Sequence, residues 1–467
     1  MRNFWIACIV VVICRMLAAY TLPTFDDAFI TYRYGSNLAS GQGLVYNRGE
    51  KVMGTTAPLF AIIASLPVLL SVPIQNFFLF FNLLCDLATL YLVYKYFFKH
   101  GSSLFFFLFV LLYALDPMVN RISVGGMEAD LFLLVSLSGL ILYLHGKKML
   151  AAVLLAAVYF LRPEAVILLF VVFCYECYST RKFPVRQAMI GLLVLSVPLL
   201  CIYLYYGQIL PQSIIAKSTF TRAPIIYLIK SIFFPDPVFY LIFPLAAYGF
   251  TRYFRKDPLF RLTGTWILLF GLAYIIKAPH AWSWYFYSID VMQLLFACFG
   301  VKALLDPYRN NRRLNPVFKC SFLFLPVLFW IIVLIVKGRS GVEKNIYAEL
   351  NRDFKDSSQL SGKLIFADDI GALGYFTNAI IYDNQKLVTP RASLYDNTYD
   401  RIINILPDYL YLYCDPTYLG MMQDNKLLSE KYRFVKRYAF GGEQGYPDKN
   451  RLSNDFKQDY MLFKRNY

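Results

Sequence analysis

Residues 57–72 read Ala-Pro-Leu-Phe-Ala-Ile-Ile-Ala-Ser-Leu-Pro-Val-Leu-Leu-Ser-Val. Whether this run crosses a membrane decides which side every later loop faces. It is apolar, but shorter than the roughly 20 residues a spanning helix needs, and Pro67 breaks its last turn. The basic residues settle the matter. If 57–72 does not cross, one side collects Arg2, Lys95, Lys99, Lys147, Lys148, Arg181, Lys182, Arg186, Arg252, Arg255, Lys256, Arg261, Arg309, Arg312, Arg313 and Lys319. The longer loops opposite hold fewer: Arg33, Arg48, Lys51, Arg121, Arg162, Lys217, Arg222, Lys230 and Lys277. Crossing would put the clusters outside, against the positive-inside rule. The run is therefore expected to be a juxtamembrane helix in the outer leaflet.

Composition agrees with a membrane protein. Hydrophobic residues make up 58% of the 467 and charged residues 16%, against about 25% charged in soluble domains. The net charge of +16 follows from Lys and Arg in cytoplasmic loops, and no nucleic-acid motif competes with that reading. Spanning helices are expected at 3–20, 76–97, 102–118, 128–145, 149–161, 163–179, 187–206, 236–254, 259–277, 283–304 and 317–337, eleven in all. The first is read as uncleaved, since no small-x-small cleavage site follows it and Arg15 interrupts it. Cys174-x-x-Cys177 lies in an apolar helix without a nearby His and reads as packing.

The expected fold class is thus a polytopic α-helical membrane protein with a C-terminal soluble α/β domain. Residues 1–337 form the membrane module, with a first outer loop over 21–75. Residues 338–467, charged and carrying short alternating runs such as Lys363-Leu-Ile-Phe-Ala, form the extracytoplasmic domain. The odd number of crossings places that domain on the same side as the first loop.

That loop begins Thr24-Phe-Asp26-Asp27-Ala-Phe-Ile-Thr-Tyr-Arg33. Carboxylates at a bilayer edge are costly unless paired, hydrated or used. The same expected face collects Asp26, Asp27, Arg33, Glu128, Arg162, Glu164, Lys217, Lys277, His280, Trp282, Trp284 and Tyr285. A carboxylate can take a proton from an attacking hydroxyl, a cation can balance a departing phosphate, and aromatic rings can stack on a sugar. Each residue also has a plainer role. Asp26 or Asp27 can favour the start of the helix that follows, or the pair can hold a divalent cation. Arg162-Pro163-Glu164 can be a turn with a local ion pair, and His280 a belt residue between Pro279 and the tryptophans. Lys217, after a short re-entrant stretch, can meet lipid head groups.

The ordered motifs resemble the GT-C superfamily of membrane glycosyltransferases. They are Asp26-Asp27 through Asn37-Leu, Gly41-Gln-Gly-Leu-Val-Tyr-Asn, Gly54-Thr-Thr-Ala-Pro-Leu, Gly125-Gly-Met-Glu128, Leu161-Arg162-Pro-Glu164, Tyr206 to Lys217, Trp284-Tyr285, and Asp368-Asp-Ile-Gly371-Ala-Leu-Gly374. Among its members the sequence is similar to mycobacterial terminal arabinofuranosyltransferases and their bacterial look-alikes. The resemblance implies an inverting transfer of a sugar, arabinofuranose in the named relatives, from a polyprenyl-phosphate donor. The acceptor would be a cell-envelope glycan, lipid or protein at the outer face of the inner (plasma) membrane. It implies Asp27 or Asp26 as base, and Arg162, Lys217 and His280 as donor-phosphate ligands. Many relatives carry Arg where this chain has Trp284, which leaves Lys277 or His280 to substitute. Two other functions fit less well: a lipid-linked glycan flippase, which would place more ionisable groups near the midplane than Asp86 and Asp290, and a non-catalytic assembly subunit.

Overall fold

A computed structural model describes residues 2–98, 103–279, 282–308, 328, 346–354, 360–395, 397–438 and 459–466. Every expected span through 283–304 coincides with an observed helix to within a few residues. These are Arg2–Thr21, Ile74–Tyr96, Ser103–Leu115, Ala129–Leu144, Lys148–Ala157, Ala165–Thr180, Val185–Tyr206, Phe239–Phe254, Pro258–Lys277 and Tyr287–Leu305. The expected span 317–337, apart from Leu328, lies outside the described residues. Among the described residues five helices are long and apolar enough to cross a membrane, or six if a bent pair counts as one span. The remaining expected spans among the described residues fall on shorter helices. A 16-residue helix such as Ala129–Leu144 rises about 24 Å, short of a hydrocarbon core of about 30 Å.

The bent pair, Leu104–Leu115 and Pro117–Val124, turns by 64° where one continuous helix was expected. Its cause is local. Asp116 precedes a proline, which disfavours helical backbone at that position, and its Oδ1 accepts from Val119 N at 2.8 Å to start the second helix.

The chain divides into two compact units. One comprises 1–22, 75–201 and 220–341; the other comprises 23–74, 202–219 and 342–467. The first is helical, and its interior holds a buried polar network. Arg15 donates through Nε to Asp86 Oδ2 and through Nη1 to Asn120 Oδ1, both at 2.7 Å. Asp86 Oδ1 accepts from the Tyr113 and Tyr287 hydroxyls. Tyr287 is also placed to donate to Asp130 Oδ1 at 2.6 Å, which accepts from Ser123 Oγ at 3.0 Å. Arg15, Asp86 and Asp130 are each only 1% exposed. Arg15, which looked like an interruption of the first helix, is its anchor.

In the second unit, five strands order as β2-β1-β3-β5-β4: β1 (Leu364–Ala367), β2 (Ile380–Asp383), β3 (Tyr409–Tyr413), β4 (Tyr432–Tyr438) and β5 (Tyr460–Arg465). The first three are parallel, and β5 runs antiparallel to both β3 and β4. Strand alternation sends Phe366, Leu410, Leu412, Met461 and Phe463 to one apolar face, packed with Ile402, Leu419 and Leu428. The 57–72 run belongs to this unit and forms two short helices, Pro58–Ile63 and Ser65–Leu69, neither long enough to span. The first loop also closes the sheet edge at β2. Asn47 Nδ2 donates to Ile381 O at 2.9 Å, and Ile381 N donates to Asn47 Oδ1 at 3.0 Å. One side chain thus stands in for a neighbouring strand.

Candidate active site

Asp26 and Asp27 open the helix Asp26–Ala39, whose N-cap is Phe25. Adjacent helical residues point about 100° apart, so the two acids have different fates. Asp26 reaches the start of the helix Gly371–Thr377, where Oδ2 accepts from Gly371 N and Oδ1 from Ala372 N, both at 2.8 Å. It therefore caps another segment's helix, not its own. Asp27 is half-buried and has no side-chain hydrogen bond or ion pair among the described residues.

A third acid joins them. Asp369 ends the turn after β1 and accepts from Tyr413 Oη at 2.7 Å and from the Tyr460 hydroxyl. Burial, followed by the nearby Asp369 charge, pushes the Asp26 carboxyl well above the usual range, although two amide donors oppose the rise. Burial also raises Asp369, and the Asp27 charge adds to that rise against the two tyrosine donors. Asp26 and Asp369 are thus both held toward their neutral forms. Sequence reasoning missed Asp369, although its signal was present as a second twin-acid motif at a strand end.

The expectation that Arg33 touches substrate is corrected here. Arg33 is 6% exposed, and all its nitrogens are engaged within the unit. Nε donates to Tyr46 O at 2.7 Å and Nη1 to Gly374 O at 2.7 Å. Nη2 donates to Ala379 O at 2.6 Å and Asn47 Oδ1 at 3.3 Å. Its guanidinium also lies 4.3 Å from the Tyr46 ring centroid. Burial lowers its pKa, yet the carbonyl cage keeps it a structural cation.

The glycines of the Asp368-Asp-Ile-Gly motif follow from this packing. A Cβ at Gly371 would lie 1.8 Å from Asp26 O, and one at Gly374 would lie 2.0 Å from Tyr46 Oη. Gly371→Ala is therefore expected to destabilise the unit by about 1–3 kcal/mol, read as a lower midpoint in chemical denaturation. An unchanged midpoint would refute the close contact.

Two further acids of this unit have pH consequences. Burial raises Asp383 to about 7, against amide donors at Gln385 and Val388. Burial also raises Asp368 to about 6, against Asn384, Tyr413 N and Tyr418. A folded-state pKa above the unfolded value stabilises most at low pH, and that stability is lost as pH rises through the folded value. The second unit is expected to lose on the order of a few kcal/mol between pH 4 and pH 8. Unfolding followed at both pH values checks this; a flat profile would show that neither acid is shifted.

In the first unit, residues distant in sequence converge on Arg162. Its Nη1 lies 3.4 Å from Glu128 Oε1 and its Nε lies 3.6 Å from Glu164 Oε2. The guanidinium sits 4.8 Å from the Tyr285 ring centroid, and Nη1 donates to Trp284 O at 3.3 Å. Tyr274, which the sequence did not single out, donates to Glu164. The local Arg162–Glu164 ion pair is thus real, and it is part of a larger cluster. Lys277 is exposed at the end of Pro258–Lys277 and is not among Arg162's partners. His280 lies outside the described residues. Lys217 lies in the helix Gln212–Ser218 of the second unit, half-buried.

The described residues do not fit a divalent cation. No group of three or more His, Cys, Asp or Glu side chains is arranged to hold one, and both Asp26 oxygens accept from amides.

The chain is a polytopic α-helical protein with five or six membrane-span-length helices among the described residues, and it shares its fold with the following solved structures. It is similar to the crystal structure of ArnT from Cupriavidus metallidurans in the apo state, with a TM-score of 0.64 and 9% identity, over 98% of this chain and 97% of that one. It is also similar to the same protein bound to undecaprenyl phosphate, with a TM-score of 0.61, 9% identity and the same coverage. A third similar structure is the Archaeoglobus fulgidus oligosaccharyltransferase in complex with Zn and sulfate, with a TM-score of 0.54 and 11% identity, over 99% of this chain and 75% of that one. No protein-family model matches the sequence, and no curated protein does.

Proposed function

We propose that this protein is a glycosyltransferase that moves a sugar from a polyprenyl-phosphate donor to a cell-envelope acceptor at the outer face of the inner membrane. The observation that carries this reading is the split between the twin acids: Asp26 is consumed by amides, while Asp27 is left without a partner among the described residues. Asp27 would take the proton from an acceptor hydroxyl as that oxygen attacks the anomeric carbon. The bond to the lipid-phosphate oxygen breaks on the opposite side, and the configuration inverts.

Cations are needed where the phosphate departs. Arg162 and Lys217 are the described candidates, with His280 and Lys277 the alternatives drawn from the sequence. Glu128 and Glu164 beside Arg162 offer acceptors for sugar hydroxyls, and Tyr285 and Trp284 offer rings for stacking. The undecaprenyl phosphate bound by a protein of the same fold supports a polyprenyl carrier here. The resemblance to arabinofuranosyltransferases supports a pentofuranose as the first sugar to try. A flippase reading gains little from the interior charges, because Asp86 is held by Arg15. The test is transfer from labelled polyprenyl-phosphate arabinofuranose and polyprenyl-phosphate hexoses to envelope acceptors, with wild-type protein and Asp27→Asn. No transfer from any of them by the wild-type protein would sink the reading.

A further inference from the structure

The face of the sheet opposite the apolar core carries a second feature that the chemistry above does not use. A cavity of about 520 Å³ opens there, lined among others by Tyr409, Tyr438, Arg433, Lys436, Lys464 and Asp353. Its floor is set by strand register. Lys464 pairs with Arg433 on one side and with Tyr409 on the other, so the three share one face across β4, β5 and β3. Two cations directly opposite each other on antiparallel strands are unfavourable.

No acidic side chain among the described residues relieves that pair. Lys436 has its own partners, Asp353 Oδ2 at 2.6 Å and Glu349 Oε1 at 3.0 Å. Arg433 is exposed and Lys464 half-buried, and neither has a carboxylate within ion-pair distance among the described residues. Lys464 Nζ lies 5.9 Å from the centroid of the buried Tyr409 ring. The cavity therefore brings together two cations that no described carboxylate pairs with. Its volume falls within the range of small-molecule sites and would admit one or two sugar rings.

We propose that this cavity binds an anionic saccharide, a sugar bearing a carboxylate or phosphate, with Arg433 and Lys464 gripping the charge. Naming this saccharide as part of the acceptor rests on the proposed glycosyl transfer; the binding itself does not. Arg433 offers a planar fork suited to carboxylate or phosphate oxygens, and Lys464 adds a point charge.

The experiment uses the full chain in phosphatidylcholine nanodiscs and measures equilibrium binding without transfer. The probes are labelled trigalacturonate, mannose 6-phosphate, neutral trigalactose, inorganic phosphate and phosphatidylglycerol vesicles. At least one of the two anionic sugars is expected to bind, at least tenfold more tightly than trigalactose. Arg433→Gln and Lys464→Gln are each expected to weaken that binding about tenfold or more. Each substitution removes a like-charge opposition, so Tm is expected to hold or rise, which separates lost binding from lost folding.

Failure of both anionic sugars to bind, equal binding of trigalactose, or unchanged binding in both variants would overturn the proposal. Equally tight binding of phosphate alone would reduce the site to a bare anion site, and preference for phosphatidylglycerol would make it a lipid contact; either overturns it too. Asp27→Asn is expected to bind the sugar normally while losing transfer. Failure here therefore leaves the transferase reading intact, and failure there leaves this site intact.

Discussion

Asp27→Asn is expected to lower the rate of sugar transfer about 10²–10⁴-fold, the usual worth of a positioned general base. Asn keeps the shape but cannot take the proton, so donor binding and folding should be close to normal. The neighbouring change should behave differently. In Asp26→Asn an amide nitrogen would face one of the two backbone donors at Gly371 and Ala372. A buried donor would lose its acceptor, at a cost of about 1–3 kcal/mol, so the variant should first show a lower unfolding midpoint. Transfer rate and denaturation midpoint, measured on both proteins, separate the two roles. Wild-type rates in Asp27→Asn would eliminate it as the base.

Asp86→Ala is expected to destabilise the helical unit by about 3–5 kcal/mol, because removing one partner of a buried ion pair leaves its mate uncompensated. Arg15, 1% exposed, would keep only its bond to Asn120 and its place 4.8 Å from the Tyr113 ring centroid. The Tyr113 and Tyr287 hydroxyls would lose an acceptor in the same step. Replacing both charges, as in Arg15→Met with Asp86→Leu, should recover much of the loss, since well-packed apolar pairs often match buried ion pairs. Unfolding in a fixed detergent, read on all three variants, gives the comparison. A double variant no better than Asp86→Ala would mean that the hydrogen-bond network, rather than the charge pair, matters most.

The helices were legible because a run of apolar residues needs no partner to be recognised; what they pack against is another question. Nothing near Arg15 in sequence announces Asp86, 71 residues later, so a charge inside the first helix looked like an interruption. Arg33 shows the same blindness at the candidate site. A cation in a polar loop reads as a substrate ligand, yet its acceptors are backbone carbonyls 341 and 346 residues away, and carbonyls leave no mark in a sequence. Asp369 was closer to being found. A second pair of adjacent acids before a glycine, ending a parallel strand, is a common location for site chemistry. By contrast, the convergence of Glu128, Arg162, Glu164, Trp284 and Tyr285 was anticipated from their common expected side, and the distances show them together.

The carbonyl cage around Arg33 also sets a timetable for biosynthesis. At roughly 5–20 residues per second, some 20–70 s separate the making of this guanidinium from that of Gly374, its acceptor 341 positions downstream. Through that interval the early loop has Asp26, Arg33 and Asn47 with their eventual mates still unmade. A nascent polypeptide halted before about residue 380 would retain its helices but leave these three groups stranded, an obvious target for quality-control proteases. Maturation of this half of the molecule is thereby tied to completion of the last hundred residues.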